Sequence, residues 1–229
     1  MQLPELLLID KPTGITSFDV IRVLRRQTGI KKFGHAGTLD PMASGLMLLG
    51  VEQGTKRLAE LVKLDKEYVA EIRIGERRTT GDLEGEIVEQ VAIDDRLTSD
   101  IINEALQSLV GTHELPVSAY SAIKKDGVPM YKRARAAAKR GETIADVPVR
   151  AMTVFEAELL STAYSTIDRM KMLIVSVRFS VASGVYIRSL AEELGSRLDY
   201  PATLQALRRT KVGKYRIEDA LQLSAITKE

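Results

Sequence analysis

The chain contains no cysteine and no tryptophan, and only two histidines. Without cysteine there are no disulfides, no thiolate nucleophiles and no zinc site that uses sulfur. His35 and His113 are widely separated and leave little for a transition metal, although magnesium held by carboxylates needs only oxygen ligands. No apolar run approaches the roughly 18–20 residues of a membrane span, so no integral membrane protein is expected. The start, MQLPELLLIDKPTG, lacks a basic leader followed by an apolar stretch and a small-residue cleavage site, so cytoplasmic residence is the expectation. What is present is globular in character: 229 residues, 45% hydrophobic and 28% charged, enough for a substantial core.

The net charge of +2 hides a strong polarisation. Residues 22–32, 124–140 and 208–216 together hold 17 of the 33 bases and one of the 31 acids, a local charge of +16, while the rest of the chain sums to −14. Each segment alone could be a solvated face. Three acid-poor segments in one chain point to a polyanion bound by an otherwise acidic body, with nucleic acid the fitting class.

Short strands alternate with short helices, and no repeat or low-complexity stretch interrupts them. Leu6–Ile9 and Leu46–Val51 read as apolar strands. A helix of about ten residues begins at the N-cap candidate Ser17 and ends before Gly29. Gly54–Lys63 reads as a further short helix. Glu67–Ile74 alternates, with Tyr68, Ala70, Ile72 and Ile74 on one face, and Glu86–Val91 reads as its returning partner. A helix spans about Ser99 to Leu109. Residues 112–146 are base-rich with few large aliphatics and carry an Asp126-Gly127 turn; they read as a projecting arm around a helix-prone Met130–Arg140. Val147–Leu160 and Met172–Ala182 form a strand pair, and Ile187, Leu190, Leu194 and Leu198 mark an amphipathic helix. The fold class expected is α+β, a mixed and largely antiparallel sheet flanked by helices, in a single catalytic domain over 1–229.

The densest local signal is GHAGTLDPMASG. Its glycines allow tight turns and close backbone approach to a ligand. No Lys-Ser/Thr pair follows them, so it is not a phosphate loop of the ATP-binding kind. Asp40 is the only carboxylate between Asp19 and Glu52. Alone, an Asp before Pro is equally a turn former or cap. SGVYIRSLAEELG places Tyr186 and Arg188 at a strand-to-helix junction, and an arginine can hold a carboxylate ionised through a bidentate contact. Tyr68 sits on a strand, where a ring can stack on a base, though either tyrosine also suits a core.

GHAGTLDPMASG, DKEYVAEIRIG, AYSAIKKDG, SGVYIRSLAEELG and ALRRTKVGKY, in this order, resemble the bacterial TruB family of tRNA pseudouridine-55 synthases over roughly residues 5–225. The resemblance implies an isomerase with the pseudouridine-synthase fold that converts uridine 55 in the T-arm loop of tRNA after flipping the base. It implies no cofactor and no metal. It makes Asp40 the nucleophile, by attack on the sugar or by a glycal route, Arg188 its partner, and Tyr68 the ring that stacks on the target base. His35 corresponds to the residue holding the loop open, Tyr186 and Leu207 to pocket residues, and Lys11 to an opening Lys-Pro motif of the pocket wall. Residues 112–146 correspond to an insertion clasping the T-arm, where Lys132 and Arg133 are the expected phosphate contacts. The partner implied is tRNA, with no obligatory protein partner, no membrane and a monomeric state. Arg78-Thr79-Thr80 stands where many relatives read T-D-T, and the C-terminal RNA-binding domain into which many relatives continue is not expected in this chain, which is either naturally short or a fragment. The rivals are a guide-dependent RNA pseudouridine synthase, a non-catalytic tRNA-folding module and a base-releasing glycosylase.

Overall fold

The structure is a computed structural model and describes residues 3–121, 123–140, 142, 144 and 146–226. In chain order the elements are β1 (Leu6–Lys11), α1 (Ser17–Thr28), β2 (Phe33–His35), β3 (Ser44–Val51), α2 (Leu58–Leu61), β4 (Lys66–Ile74), β5 (Glu76–Arg78) and β6 (Ile87–Gln90). They continue with α3 (Ser99–Ser108), β7 (Gly111–Pro116), β8 (Lys124–Lys125), β9 (Val128–Pro129), α4 (Met130–Ala138), β10 (Val149–Ile167) and β11 (Met170–Val181). The last are α5 (Ile187–Arg197), β12 (Ala202–Val212), β13 (Tyr215–Arg216) and β14 (Leu221–Gln222). Contacts divide the chain into two units: Met1–Val69 with Ser180–Ser183 and Ala206–Glu229, and Ala70–Phe179 with Gly184–Gln205. Strands β4, β11 and β12 have residues in both.

In the first unit the strand order is β14-β1-β3-β12-β4, with β2 on β3 and β13 on β12. β1 and β3 are antiparallel while β3 and β12 are parallel, so the sheet is mixed. Alternation along β1 sends Leu7 and Ile9 to one face and Leu6 and Leu8 to the other. On the second face lies an apolar cluster of Ala36, Leu46, Leu48, Leu61 and Val212. Helix α1 has Val20, Ile21 and Leu24 buried, the spacing of one helical face. It starts with a capping box in which Thr16 is the N-cap and Asp19 closes the reciprocal bond, so Ser17 is the first helical residue rather than the cap. It stops where Gly29 turns left-handed (φ 75°) and donates its N–H to the Arg25 carbonyl, 3.0 Å away. The segment read as one helix over Gly54–Lys63 is instead a 3₁₀ stretch, Glu52–Arg57, followed by α2.

In the second unit the order is β4-β11-β10-β7. Helix α3 packs on β10 and on α5, whose Ile187, Leu190, Ala191 and Leu194 are buried. Strand β6 does not return along β4. It pairs with β5 as a separate two-stranded ribbon, because Gly75 (φ 108°) breaks the chain direction after Ile74. A Cβ at Gly75 would lie 2.8 Å from the Val91 carbonyl oxygen, so only glycine fits that turn. The first residues read as the arm, 112–116, are sheet: they belong to β7, which pairs antiparallel with Val149–Val154. What stands apart is the β8–β9 hairpin, turned by Asp126 (φ 51°) and Gly127 (φ 78°), and the helix α4 after it.

Candidate active site

The Asp40 loop is fixed from both sides. On the N-terminal side, the buried Ser17 hydroxyl donates to the Leu39 carbonyl (3.0 Å) and accepts from the Leu39 N–H (2.8 Å). On the C-terminal side, the Pro41 carbonyl accepts from the Gly14 N–H (2.8 Å) and from the Lys11 ammonium (3.4 Å). Lys11 is fully buried, and its ammonium also donates to the carbonyls of Pro12 (2.9 Å) and Ile15 (2.8 Å). The KPTGITS turn and the loop are thus one hydrogen-bonded body, and Lys11 acts as its internal bracket. Asp40 itself is half-buried, and its carbonyl accepts from Ala43 in a tight turn (3.1 Å). The carboxylate is mounted between residues that have little freedom, the arrangement a nucleophile requires for a near-attack geometry.

Arg209 braces the same loop. It is 1% exposed; its Nε donates to the Leu46 carbonyl (2.7 Å) and its Nη2 to the Gly37 carbonyl (3.2 Å). A Cβ at Gly45 would sit 2.3 Å from the Arg209 carbonyl oxygen, which explains a glycine at that crossing with φ 108°. The base-rich run 208–216 therefore begins with two arginines engaged within the fold, Arg209 buried and Arg208 partly exposed. Arg208 makes a bidentate pair with Asp10 (2.7 and 3.1 Å), and neither arginine is a free phosphate contact. His35, on β2, is half-buried, and burial followed by the nearby Arg209 charge pushes its imidazole below the ordinary histidine range. Its Nδ1 has no hydrogen-bond partner among the described residues.

Tyr68 lies on β4 with its ring buried (8% exposed), and Leu207 on β12 is similarly covered. The two strands are neighbours and are joined near these positions by the Thr210 hydroxyl donating to Glu67 (2.7 Å). Among the described residues the Tyr68 hydroxyl has no hydrogen-bond partner, so it can serve a ligand. Beside it, Lys66 is buried and donates to the carbonyls of Val62 (2.6 Å) and Leu64 (2.5 Å); burial and the Arg209 charge bring it down to about 8.

In the second unit, Arg188 opens α5 and is 5% exposed. Its Nη1 donates to the Thr80 carbonyl (2.9 Å) and Ser118 hydroxyl (3.0 Å), and its Nη2 to the Tyr120 carbonyl (3.1 Å). Buried Asp82 faces it at 3.5 Å and is itself held by the Thr80 hydroxyl (2.6 Å) and the Glu84 N–H (3.1 Å). Sequence reasoning missed Asp82, although it sits in the turn after Arg78-Thr79-Thr80. Arg78, in the same stretch, pairs with buried Glu76 (2.6 Å). Tyr186 is the N-cap residue of α5 and half-buried.

Lys132 on α4 is exposed and lines an open depression of about 450 Å³ with Tyr131, Arg135, Ala136 and Lys139. Arg133 is partly exposed and engaged locally: its Nη2 donates to the Lys125 carbonyl (2.7 Å) and to Asp126 (2.9 Å), tying the helix to the hairpin. Among the described residues no cluster of histidines and carboxylates has the makings of a metal site, and no helix is long and apolar enough to cross a membrane.

The family model "TruB family pseudouridylate synthase (N terminal domain)" matches residues 25–187. A protein of Leifsonia xyli subsp. xyli named tRNA pseudouridine synthase B is 45% identical over 225 residues, covering 96% of this chain and 71% of that protein. Its namesake in Streptomyces avermitilis is 40% identical over 225 residues, covering 98% and 73%. Among solved structures, an H/ACA RNP bound to a substrate RNA containing 2'-deoxyuridine aligns with TM-score 0.66 at 24% identity, over 96% of this chain and 51% of that one. A Cbf5-Nop10-Gar1 complex aligns at TM-score 0.67, again at 24% identity, over 96% and 52%. The chain spans about half the length of those two, and at that identity the likeness establishes the fold. The match over residues 25–187 and the curated relatives at 40–45% identity establish more: the chain belongs to the TruB family of pseudouridylate synthases.

Proposed function

We propose that the chain isomerises uridine 55 in the T-arm loop of tRNA to pseudouridine, with Asp40 as the nucleophile acting on a flipped base. Pseudouridine formation in tRNA is the reaction named for its relatives at 40–45% identity, which it matches over nearly its whole length. The observation that carries the finer reading is the two-sided clamp on the Asp40 loop, which holds one carboxylate at a fixed place in a chain of this family. The reaction breaks the bond from uracil N1 to the sugar, turns the base and joins its C5 to the same sugar carbon. The C5 proton leaves and N1 takes one up, so no atom is gained or lost. A carboxylate that holds the sugar carbon during rotation needs no external reactant.

Extruding the base costs a few kcal/mol, which phosphate contacts on RNA-facing cations such as Lys132 offset. The buried ring of Tyr68, with its hydroxyl open, suits stacking on the extruded base, and Leu207 a dry wall near it. Arg188 takes the role of partner to the catalytic carboxylate by resemblance, and its hydrogen bonds to the 80–82 turn and to residues 118 and 120 suit a pre-oriented guanidinium. The protein acts on RNA alone in this reading, as a monomer.

The test is Asp40→Asn, which keeps the shape and removes the nucleophile. Purified variant is expected to bind a T-arm transcript within a few-fold of wild type and to release no tritium from C5 of the target uridine. Turnover by the variant would reject the assignment, and a wild-type requirement for a guide RNA would move the chain to the guide-dependent class.

A further inference from the structure

Helix α1 turns an unusual face to solvent. Phe18, Arg22, Arg25 and Arg26 recur at the spacing of one helical stripe, opposite the buried Val20, Ile21 and Leu24, and all four are exposed. Phe18 is 48% exposed, whereas Phe33 and Phe179 are buried. The Arg22 guanidinium stands 5.0 Å from the centre of the Phe18 ring and that of Arg25 5.8 Å, so one ring draws two like charges together. Arg26 extends the stripe, and its one acid, Asp19, is engaged by the capping box and by Arg22 at 2.7 Å.

The helix is also anchored to the site. Ser17, the residue before Phe18, clasps Leu39 beside Asp40. At about 1.5 Å of rise per residue, Arg22 and Arg26 lie roughly 7 and 13 Å along the axis from that clasp. A stripe of cations thus lies on a rigid element whose first residue is fixed to the Asp40 loop.

We infer that the outer face of α1 is an RNA-backbone contact, in which Arg22 and Arg25, held together over Phe18, bind phosphates of nucleotides flanking the modified uridine. This rests on the reading that the substrate is tRNA. Charge complementarity selects the ligand, since a helix face with three exposed arginines and one paired acid fits a polyanion. Covering an exposed ring with arginine stems would account for the packing alone, and the test separates the two.

Binding of a full tRNA transcript is measured against salt for wild type, Arg22→Gln with Arg25→Gln, and Phe18→Ala. Thermal midpoints serve as the fold control; the Arg22–Asp19 pair is exposed, and its loss should leave α1 folded. The double variant is expected to bind about tenfold or more weakly at low salt. Its log–log salt slope should be shallower by about 1.4 to 1.8, the value for two lost phosphate contacts. Phe18→Ala is expected to weaken binding about twofold to fivefold, the worth of an exposed cation–ring contact. Wild-type affinity and slope in the double variant would overturn the inference. So would weaker binding at an unchanged slope, or polyglutamate binding as tightly as tRNA with the same dependence on both arginines. If wild type binds tRNA but does not modify it, the catalytic reading fails while the α1 contact is still decided by the slopes.

Discussion

At the residue scale, the groups that act and the groups that hold them are different in kind. Asp40 is carried by its neighbours: Leu39 is clasped through both backbone groups by one hydroxyl, and Pro41 by one ammonium and one N–H. Ser17→Ala leaves a buried Leu39 N–H and carbonyl without their partner, at a cost of about 1–3 kcal/mol. Denaturant unfolding should register that loss, and the turnover rate should fall more than substrate affinity, because the binding cations are untouched. His35 predicts a pH effect. Its folded-state value lies below the ordinary 6.5, so above that pH both folded and unfolded chains hold it neutral and it costs nothing. As pH falls through about 6.5, the unfolded chain takes up a proton that the folded chain refuses, and stability declines. His35→Gln should flatten the thermal midpoint between about pH 5 and 7 relative to wild type; an unchanged slope would remove His35 from that account.

At the element scale, positive charge in a segment divides into cations that face solvent and cations that brace the fold. On α4, Lys132 faces the open depression while Arg133 ties helix to hairpin. Lys132→Gln should reduce the salt slope of RNA binding by about one at an unchanged thermal midpoint. Arg133→Gln should show the reverse, a lower midpoint and a nearly unchanged slope. Strand ends show the same limit of one-dimensional reading. β10 runs to Ile167, well past the expected end at Leu160, and reaches β11 through Asp168 and Arg169, both left-handed (φ 50° and 67°). A turn without glycine or proline gives only a weak local signal: Asp168 tolerates that conformation, but Arg169 adopts it where the paired strands impose it.

At the scale of the whole molecule, the chemistry proposed is self-contained. A T-arm hairpin of roughly 17 nucleotides should suffice as substrate, because a sequence-specific RNA pocket reads splayed bases in one folded loop. Conversion should proceed in excess EDTA once the RNA is folded, and product mass should equal substrate mass, with pseudouridine visible only after a specific adduct. Loss of one base in the product would indicate a glycosylase, and loss of activity on chelation would indicate a metal in the chemical step.

The sequence by itself determined the fold class, the family and the loop that bears Asp40, because these rest on local patterns: alternation in β1 and β4, the apolar face of α5, and a short run of glycines around one acid. The boundaries of α1 were legible to within a residue, since capping is local chemistry. Tertiary structure alone decided what each charge does. Arg208, Arg209 and Arg133 read as surface cations, yet one pairs with Asp10, one is buried against Gly37 and Leu46, and one joins a hairpin. Asp82 gave no signal, since its value comes from facing Arg188, far away in the chain. A guanidinium in a sequence carries the same charge in every setting, and only the distances to distant carbonyls and carboxylates determine whether that charge is spent inside the fold or offered to RNA.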